Sequence, residues 1–332
     1  MPAASSAAPD VSRKRVPDFF IVGSPKSGTT SLYEMLRERP QIYMPDLKEP
    51  RFLASDMHPR PEYARESREL GYPDTLEDYL ALFDDATPEQ RVGEASTFYL
   101  WSRTAANSIA DLQPDARIIA ILREPASFLR SMHLMFLRWG VETEKDLRKA
   151  MSLETARREG KHIPSHSHRP QLLQYSDHVR YVDQLRRYAA RFPPEQILVL
   201  IYEDFFRDNE ATVRRVLRFL EADDESPIDV MNVNVTTRTI RSQRAKYLLY
   251  SIKKGQGPIA RPTKATLKAL TTRRLRRGAA RTIRRHVVSA DAPPPDESVM
   301  IELRQRFKPE VVALSEYLNR DLVSLWGYDN VR

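Results

Sequence analysis

The run from Phe19 to Leu32, FFIVGSPKSGTTSL, constrains the fold of this chain more than any other stretch. Four consecutive apolar residues, Phe19 to Val22, closed by Gly23 suit a parallel strand covered on both faces. Leu32, Met35 and Leu36 then recur at helical spacing until Pro40 ends the element. Where a strand turns directly into a helix, the first backbone N–H groups of the helix have no intrahelical acceptor and carry the positive end of the peptide dipoles. Such a junction stabilises an anion. Gly23 and Gly28 let the backbone come close to it.

The spacing from Gly23 to Gly28 is the glycine frame of a nucleotide P-loop, G-x-x-x-x-G-K-[ST]. Thr29, however, stands where an ATPase or GTPase carries the lysine that reaches the β- and γ-phosphates, and the lysine of this stretch, Lys26, sits inside the loop. That shift argues against a triphosphate with bound magnesium. A lysine inside the loop reaches a group attached to a single 5′-phosphate, as in a phosphosulfate. A small-molecule kinase using the same sheet and loop is the alternative.

The second strong element is Arg117-Ile118-Ile119-Ala120-Ile121-Leu122, an apolar strand followed at once by Arg123-Glu124-Pro125. Pro125 suits a first helical position, and Phe128, Leu129, Met132 and Phe136 mark the buried stripe of the helix it opens. In open α/β sheets ligands bind beyond the carboxyl ends of the strands, so Arg123 should emerge beside the first loop. Ser131 follows eight residues later. Ile197 to Tyr202 is a third buried strand, with a helix from about Asn209 to Glu221. The alternation of apolar strands and amphipathic helices predicts a central, mainly parallel sheet flanked by helices, a three-layer α/β fold.

Between these elements, Gln41 to Pro45 reads as a short extended piece leading to Lys48-Glu49-Pro50-Arg51-Phe52, where Pro50 biases Glu49 away from helix. A carboxylate on a loop beyond a phosphate site is a candidate base. The segment 54–73 reads as an irregular insertion, Leu76 to Phe83 as an amphipathic helix, and Arg91 to Thr97 as a short strand ending in hydroxyl residues. A charged helix is expected from Val141 to Glu159 and another from Asp177 to Phe192, with a proline-broken loop between them. That loop carries His162, His166 and His168, but no carboxylate or cysteine sits with them and the prolines deny a shared helix face, so a lid or acceptor loop is favoured over a metal site. The C-terminal helices run toward Trp326, with Pro309 expected to start a new one.

At 332 residues with 41% hydrophobic side chains, the chain is long enough for one large domain, expected over 17–332 with helical insertions, after a disordered arm at 1–16. It has no cysteine, which removes disulfides and thiolate chemistry, and no apolar run of signal-peptide or membrane-span length follows Arg13-Lys14-Arg15, so a cytoplasmic protein is expected. Residues 253–285 hold twelve Lys or Arg and no acid. They exceed the net charge of +8, so the remainder is mildly acidic. The block is either a solvated helical face or a contact for anionic lipid or polymer. It has few aromatics to stack on bases, so no sequence-specific nucleic-acid partner is expected.

Taken together, P-K-S-G-T-T-S-L from Pro25, K-E-P-R-F from Lys48 and L-R-E-P with Ser131 resemble the sulfotransferases that use 3′-phosphoadenosine 5′-phosphosulfate (PAPS), in particular the bacterial and heparan-sulfate types. The resemblance covers roughly residues 18–221, with a looser echo toward Trp326. It implies a P-loop-like fold and an enzyme that moves the sulfuryl group of PAPS to an acceptor hydroxyl of a carbohydrate, glycolipid or small metabolite. It further implies that Lys26, Ser27, Gly28, Thr29, Thr30 and Ser31 hold the 5′-phosphosulfate and that Arg123 and Ser131 hold the 3′-phosphate. By motif position Glu49 is the general base, with His133 its rival, and Lys26 meets the charge on the leaving oxygen. Arg238, Arg241 and Lys254 are candidates for the loop that closes over the nucleotide. No metal is required, because a sulfuryl group carries less charge than a phosphoryl group. Two departures bear on the acceptor: Glu94-Ala95-Ser96-Thr97 stands where heparan-type enzymes often carry a lysine after the glutamate, and their C-terminal cysteine pair is absent.

Overall fold

The computed structural model describes residues 14–58, 71–165, 167–223, 225–228, 238–240, 289–291 and 294–331, with 238–240 and 289–291 described as backbone only. Arg241, the 253–285 block and residues 1–13 of the N-terminal arm lie outside the described residues. In chain order the elements are β1 (Phe19–Gly23), α1 (Thr29–Arg37), β2 (Ile42–Tyr43), α2 (Leu76–Ala81), β3 (Arg91–Ala95), α3 (Ala105–Leu112), β4 (Arg117–Leu122) and α4 (Pro125–Trp139). They continue with α5 (Leu147–Ser152), α6 (Glu154–Arg158), α7 (Tyr181–Ala189), β5 (Ile197–Ile201), α8 (Tyr202–Arg207), α9 (Asn209–Phe219), β6 (Arg238–Ile240), β7 (Ser289–Asp291), α10 (Glu297–Leu318) and α11 (Leu322–Leu325). The chain divides into two compact units, one of residues 1–129, 174–234 and 300–332, the other of residues 130–173 and 235–299.

The first unit is built on a five-stranded sheet in the order β2-β3-β1-β4-β5, with every pairing parallel. Strand β1 lies at its centre because Phe19 to Val22 are apolar on both faces and fully buried. Phe19 and Ile21 pack with Leu32, Met35 and Leu36 of α1 and with Val213, Val216 and Leu217 of α9. By strand alternation Phe20 and Val22 face the other way and are equally buried, as are Ile118, Ala120 and Leu122 of β4. Gly93 of β3 pairs with Phe19, and a Cβ there would come within 2.2 Å of the Phe19 ring and 2.4 Å of Met44 Sδ, so only glycine admits that ring. A full capping box at Thr75 and Asp78 opens α2.

In the second unit α5 and α6 replace the single helix expected over Val141–Glu159. Residues 141–146 stay irregular because the Glu142 carboxylate accepts the N–H groups of Thr143 (2.7 Å) and Glu144 (2.8 Å), and it also takes a two-pronged contact from Arg157 at 2.7 and 2.9 Å. Both ends of that ion pair are buried, and the paired geometry is what offsets the desolvation of two charges. The unit also contains an antiparallel pair, β6 with β7, which sequence periodicity over three residues does not reveal.

Two further elements differ from the sequence reading. The segment expected as a helix from Asp177 opens with a 3₁₀ turn at Tyr175–Val179 before α7 begins. Pro309 does not start a helix but lies inside α10, whose Phe307, Val311 and Leu314 are buried; packing of that stripe outweighs the one backbone bond that proline removes. Among the described residues no helix is long and apolar enough to cross a membrane.

Candidate active site

The first unit places three chain segments at the carboxyl ends of β1, β3 and β4. The loop after β1 is held by Ser24 N–H donating to Ile121 O (2.8 Å) and Leu100 N–H donating to Val22 O (2.8 Å). Gly23 is required by close approach, since a Cβ would stand 2.6 Å from Thr97 O. Gly28 adopts φ +84° and caps α1 with no side-chain bond, and a Cβ on it would meet the Phe205 ring at 2.9 Å. Helix α1 therefore opens with bare N–H groups at Thr29, Thr30 and Ser31. Ser27 is fully buried, and its Oγ, like that of Ser24, has no hydrogen-bond partner. Two orphaned buried hydroxyls at a helix start fit the oxygens of an anion. Lys26, half-buried, sits at φ +65° within the same turn.

Arg123 emerges beside this loop, as its place after β4 predicts. Its Nη1 donates to Lys26 O (2.9 Å), its guanidinium lies 4.4 Å from the Tyr202 ring centre, and its own carbonyl accepts from Tyr181 OH (3.0 Å). Among the described residues Arg123 makes no ion pair, and its Nε is buried without a partner. The arginine is thus aimed and stacked, with donors left over.

Glu49 lies on a loop fastened to the end of β3. Its N–H donates to Ala95 O (2.9 Å), and Arg51 N–H donates to Ser96 Oγ (3.0 Å). Its carboxylate accepts from Thr97 Oγ1 (3.0 Å), Lys48 Nζ (3.3 Å) and Arg51 Nη2 (2.5 Å). Both Glu49 and Arg51 take left-handed backbone conformations, φ 61° and 58°, and these contacts hold them there. Burial alone raises the Glu49 pKa, but Arg51 and Lys48, with hydrogen bonds from Arg51 and Thr97, outweigh it and hold the carboxyl below its usual value. The group is ionised at neutral pH and can accept a proton. Thr97 links the two loops, its carbonyl against Gly23 and its hydroxyl on Glu49.

Glu94, one strand position before Ala95, is fully buried and takes a bond from Tyr79 OH (3.2 Å). Burial raises its pKa to about 7, against hydrogen bonds from Ser96, Tyr99 and Tyr79 that lower it. Sequence reading gave Thr97 no part in holding Glu49 and did not single out Glu94 as a buried acid; the available signal for Glu94 was a charged residue within a short strand. Ser131 and His133 fall in the second unit. Ser131 is buried on α4, and the His133 ring meets Lys145 O at 3.2 Å, with burial lowering its pKa. Among the described residues there is no cluster of three or more His, Cys, Asp or Glu placed to hold a metal ion.

The sulfotransferase family model matches residues 17–226, which contain all three of these segments. The chain belongs to the sulfotransferase family. This sulfotransferase is similar to human carbohydrate sulfotransferase 15, with 31% identity covering 36% of this chain and 27% of that protein. It is also similar to the membrane-associated sulfotransferase kil1 of Dictyostelium discoideum, with 27% identity covering 37% and 24%. The chain thus spans about a quarter of the length of these curated relatives. The crystal structure of a sulfotransferase from Alicyclobacillus acidocaldarius has 26% identity and a TM-score of 0.65, covering 94% of this chain and 99% of that one. These likenesses bear out the sulfotransferase reading and its α/β fold, and the kinase alternative finds no support in them.

Proposed function

We propose that this sulfotransferase moves the sulfuryl group of PAPS to the hydroxyl of an acceptor, with Glu49 as general base. The observation that carries the reading is the loop itself: a lysine inside the turn, threonine where a kinase needs lysine, and buried Ser24 and Ser27 hydroxyls without partners. The acceptor oxygen attacks sulfur in line. A new S–O bond forms as the bond from sulfur to the bridging oxygen of the 5′-phosphate breaks, and the electron pair leaves with adenosine 3′,5′-bisphosphate (PAP). The acceptor proton passes to Glu49, because a hydroxyl of pKa far above 7 must lose it as it attacks. Lys26 and the α1 N–H groups meet the charge that grows on the departing oxygen. Arg123, whose planar fork matches phosphate oxygens, takes the 3′-phosphate.

A carbohydrate hydroxyl is the favoured acceptor class, supported by the likeness to carbohydrate sulfotransferase 15, with glycolipids and small metabolites as the other members of the test set. The experiment incubates the protein with a panel of glycosaminoglycans, glycolipids and phenols, once with sulfur-labelled PAPS and EDTA and once with PAPS, labelled ATP and magnesium. Label on a hydroxyl compound together with stoichiometric PAP supports the reading. Transfer of phosphate from ATP, with PAPS untouched, would overturn it.

A further inference from the structure

Arg123 stands next to two acids that do not bind it. Glu124, which follows it, is buried and caps the start of α4 by accepting the N–H groups of Ala126 (3.0 Å) and Ser127 (2.7 Å). Glu203, at the start of α8, accepts from Glu124 N–H (3.3 Å). Burial raises the Glu203 pKa, and Arg123 is among the groups that oppose the rise, so the guanidinium and this carboxylate feel each other. In such a poorly solvated place a carboxylate is the natural partner of a guanidinium. Yet Arg123 makes no ion pair among the described residues.

The C-terminal segment explains why. Trp326 Nε1 donates to Glu203 Oε2 (2.8 Å), and Tyr328 OH donates to Glu124 Oε1 (2.6 Å). Arg304 Nε adds a longer contact to Glu124 Oε1 (3.7 Å). Trp326 is 6% exposed and Tyr328 is fully buried, so these donors are built into the packing rather than resting on the surface. All three come from residues beyond the 17–226 span that the family model matches.

We propose that the segment Trp326–Tyr328 is a positioning element of the nucleotide site: by donating to Glu203 and Glu124 it keeps both carboxylates off Arg123 and leaves the guanidinium to an anionic group of the ligand. The proposal rests on Arg123 as the 3′-phosphate ligand. Without the indole N–H, Glu203 loses its side-chain donor and turns to the guanidinium. A 3′-phosphate must then displace a carboxylate before it can bind, whereas a ligand lacking that phosphate is indifferent.

The test is calorimetric titration of PAP and of AMP, which lacks the 3′-phosphate, into the full chain and its variants. Trp326→Phe keeps the ring packing and removes the donor. It should weaken PAP by about 10- to 100-fold, the range of one charge-assisted bond, and AMP by less than about 2-fold. Tyr328→Phe should act in the same direction. Glu203→Gln in the Trp326→Phe background should restore the preference for PAP, since a neutral amide does not compete for Arg123. Equal weakening of both nucleotides, or an unchanged PAP-to-AMP ratio in both single variants, overturns the proposal. Should Trp326→Phe fail to fold, Tyr328→Phe alone decides. Arg123→Ala separates the two levels: if it leaves the ratio unchanged, the 3′-phosphate reading fails and this proposal with it. If it abolishes the preference while Trp326→Phe and Tyr328→Phe do not alter it, only the positioning role is wrong.

Discussion

On the proposed mechanism Lys26 and Glu49 serve opposite ends of the same displacement, so their substitutions should separate. Lys26→Ala removes the cation proposed to face the leaving oxygen in the transition state. Turnover with whichever hydroxyl compound accepts label should fall roughly 10- to 100-fold, the loss of a bond of about 1.5–3 kcal/mol, with a smaller change in PAP affinity. Equal losses in both would make Lys26 a phosphate anchor alone. Glu49→Gln keeps shape and removes the proton acceptor, and should cost about 10²–10⁴-fold in turnover while PAP binds as before. Near-normal turnover would place the base elsewhere. Glu94 makes a prediction about stability. Its folded pKa is about 7, above the ordinary carboxyl value of 4.5, so between those limits the folded state binds more protons than the unfolded one and stability falls as pH rises. The loss approaches on the order of 3 kcal/mol once pH exceeds the folded pKa. Glu94→Gln cannot ionise, so denaturant unfolding from pH 5 to 8 should show wild type losing stability relative to the variant across that window. Parallel curves would mean that Glu94 does not titrate there.

At the scale of elements, the loop between β1 and α1 depends on two glycines for different reasons. Gly28→Ala puts a Cβ at φ +84° and 2.9 Å from the Phe205 ring, so melting temperature and PAP affinity should both fall. Wild-type values for both would mean that the turn tolerates a side chain. Gly23→Ala would press on Thr97 O at 2.6 Å, and because Thr97 also holds Glu49, turnover should suffer more than PAP binding. What sequence revealed follows from the same physics. β1 and β4 were readable because strands buried on both faces are written as unbroken apolar runs, β5 because its run is equally unbroken although Ile197 and Val199 on one face are only partly buried, and α4 because Pro125 and its stripe mark the start and the buried side. The junctions with ligand chemistry lie at the ends of those runs and were readable with them. Helix α3, AANSIADL, gives no comparable pattern, since three of its four buried residues are alanines. The helix expected over Val141–Glu159 failed at Glu142, whose partner Arg157 cannot be inferred from spacing. The bond from Thr97 to Glu49 spans 48 residues, and the Trp326 contact with Glu203 spans 123; neither leaves a local trace.

For the whole molecule, the strand order β2-β3-β1-β4-β5 makes β1 the hub, and crossovers carry the chain to both of its sides. Loops from β1, β3 and β4 therefore converge beyond the carboxyl ends of the three central strands, which brings backbone N–H groups, a stacked arginine and a fastened carboxylate to the end of the sheet where ligands bind in such folds. The C-terminal segment donates to two acids at that end, Glu203 and Glu124. The proposed function assigns these cationic and N–H donors to a 5′-phosphosulfate and a 3′-phosphate, and the loop lacks the lysine that a triphosphate requires after the second glycine. The most direct test of this account is competitive calorimetry of PAP against ATP on the full chain, once with EDTA and once with magnesium. PAP should bind in EDTA, and ATP with magnesium should fail to displace it at equal concentration. Tight binding of magnesium–ATP together with a magnesium requirement for PAP would contradict the account.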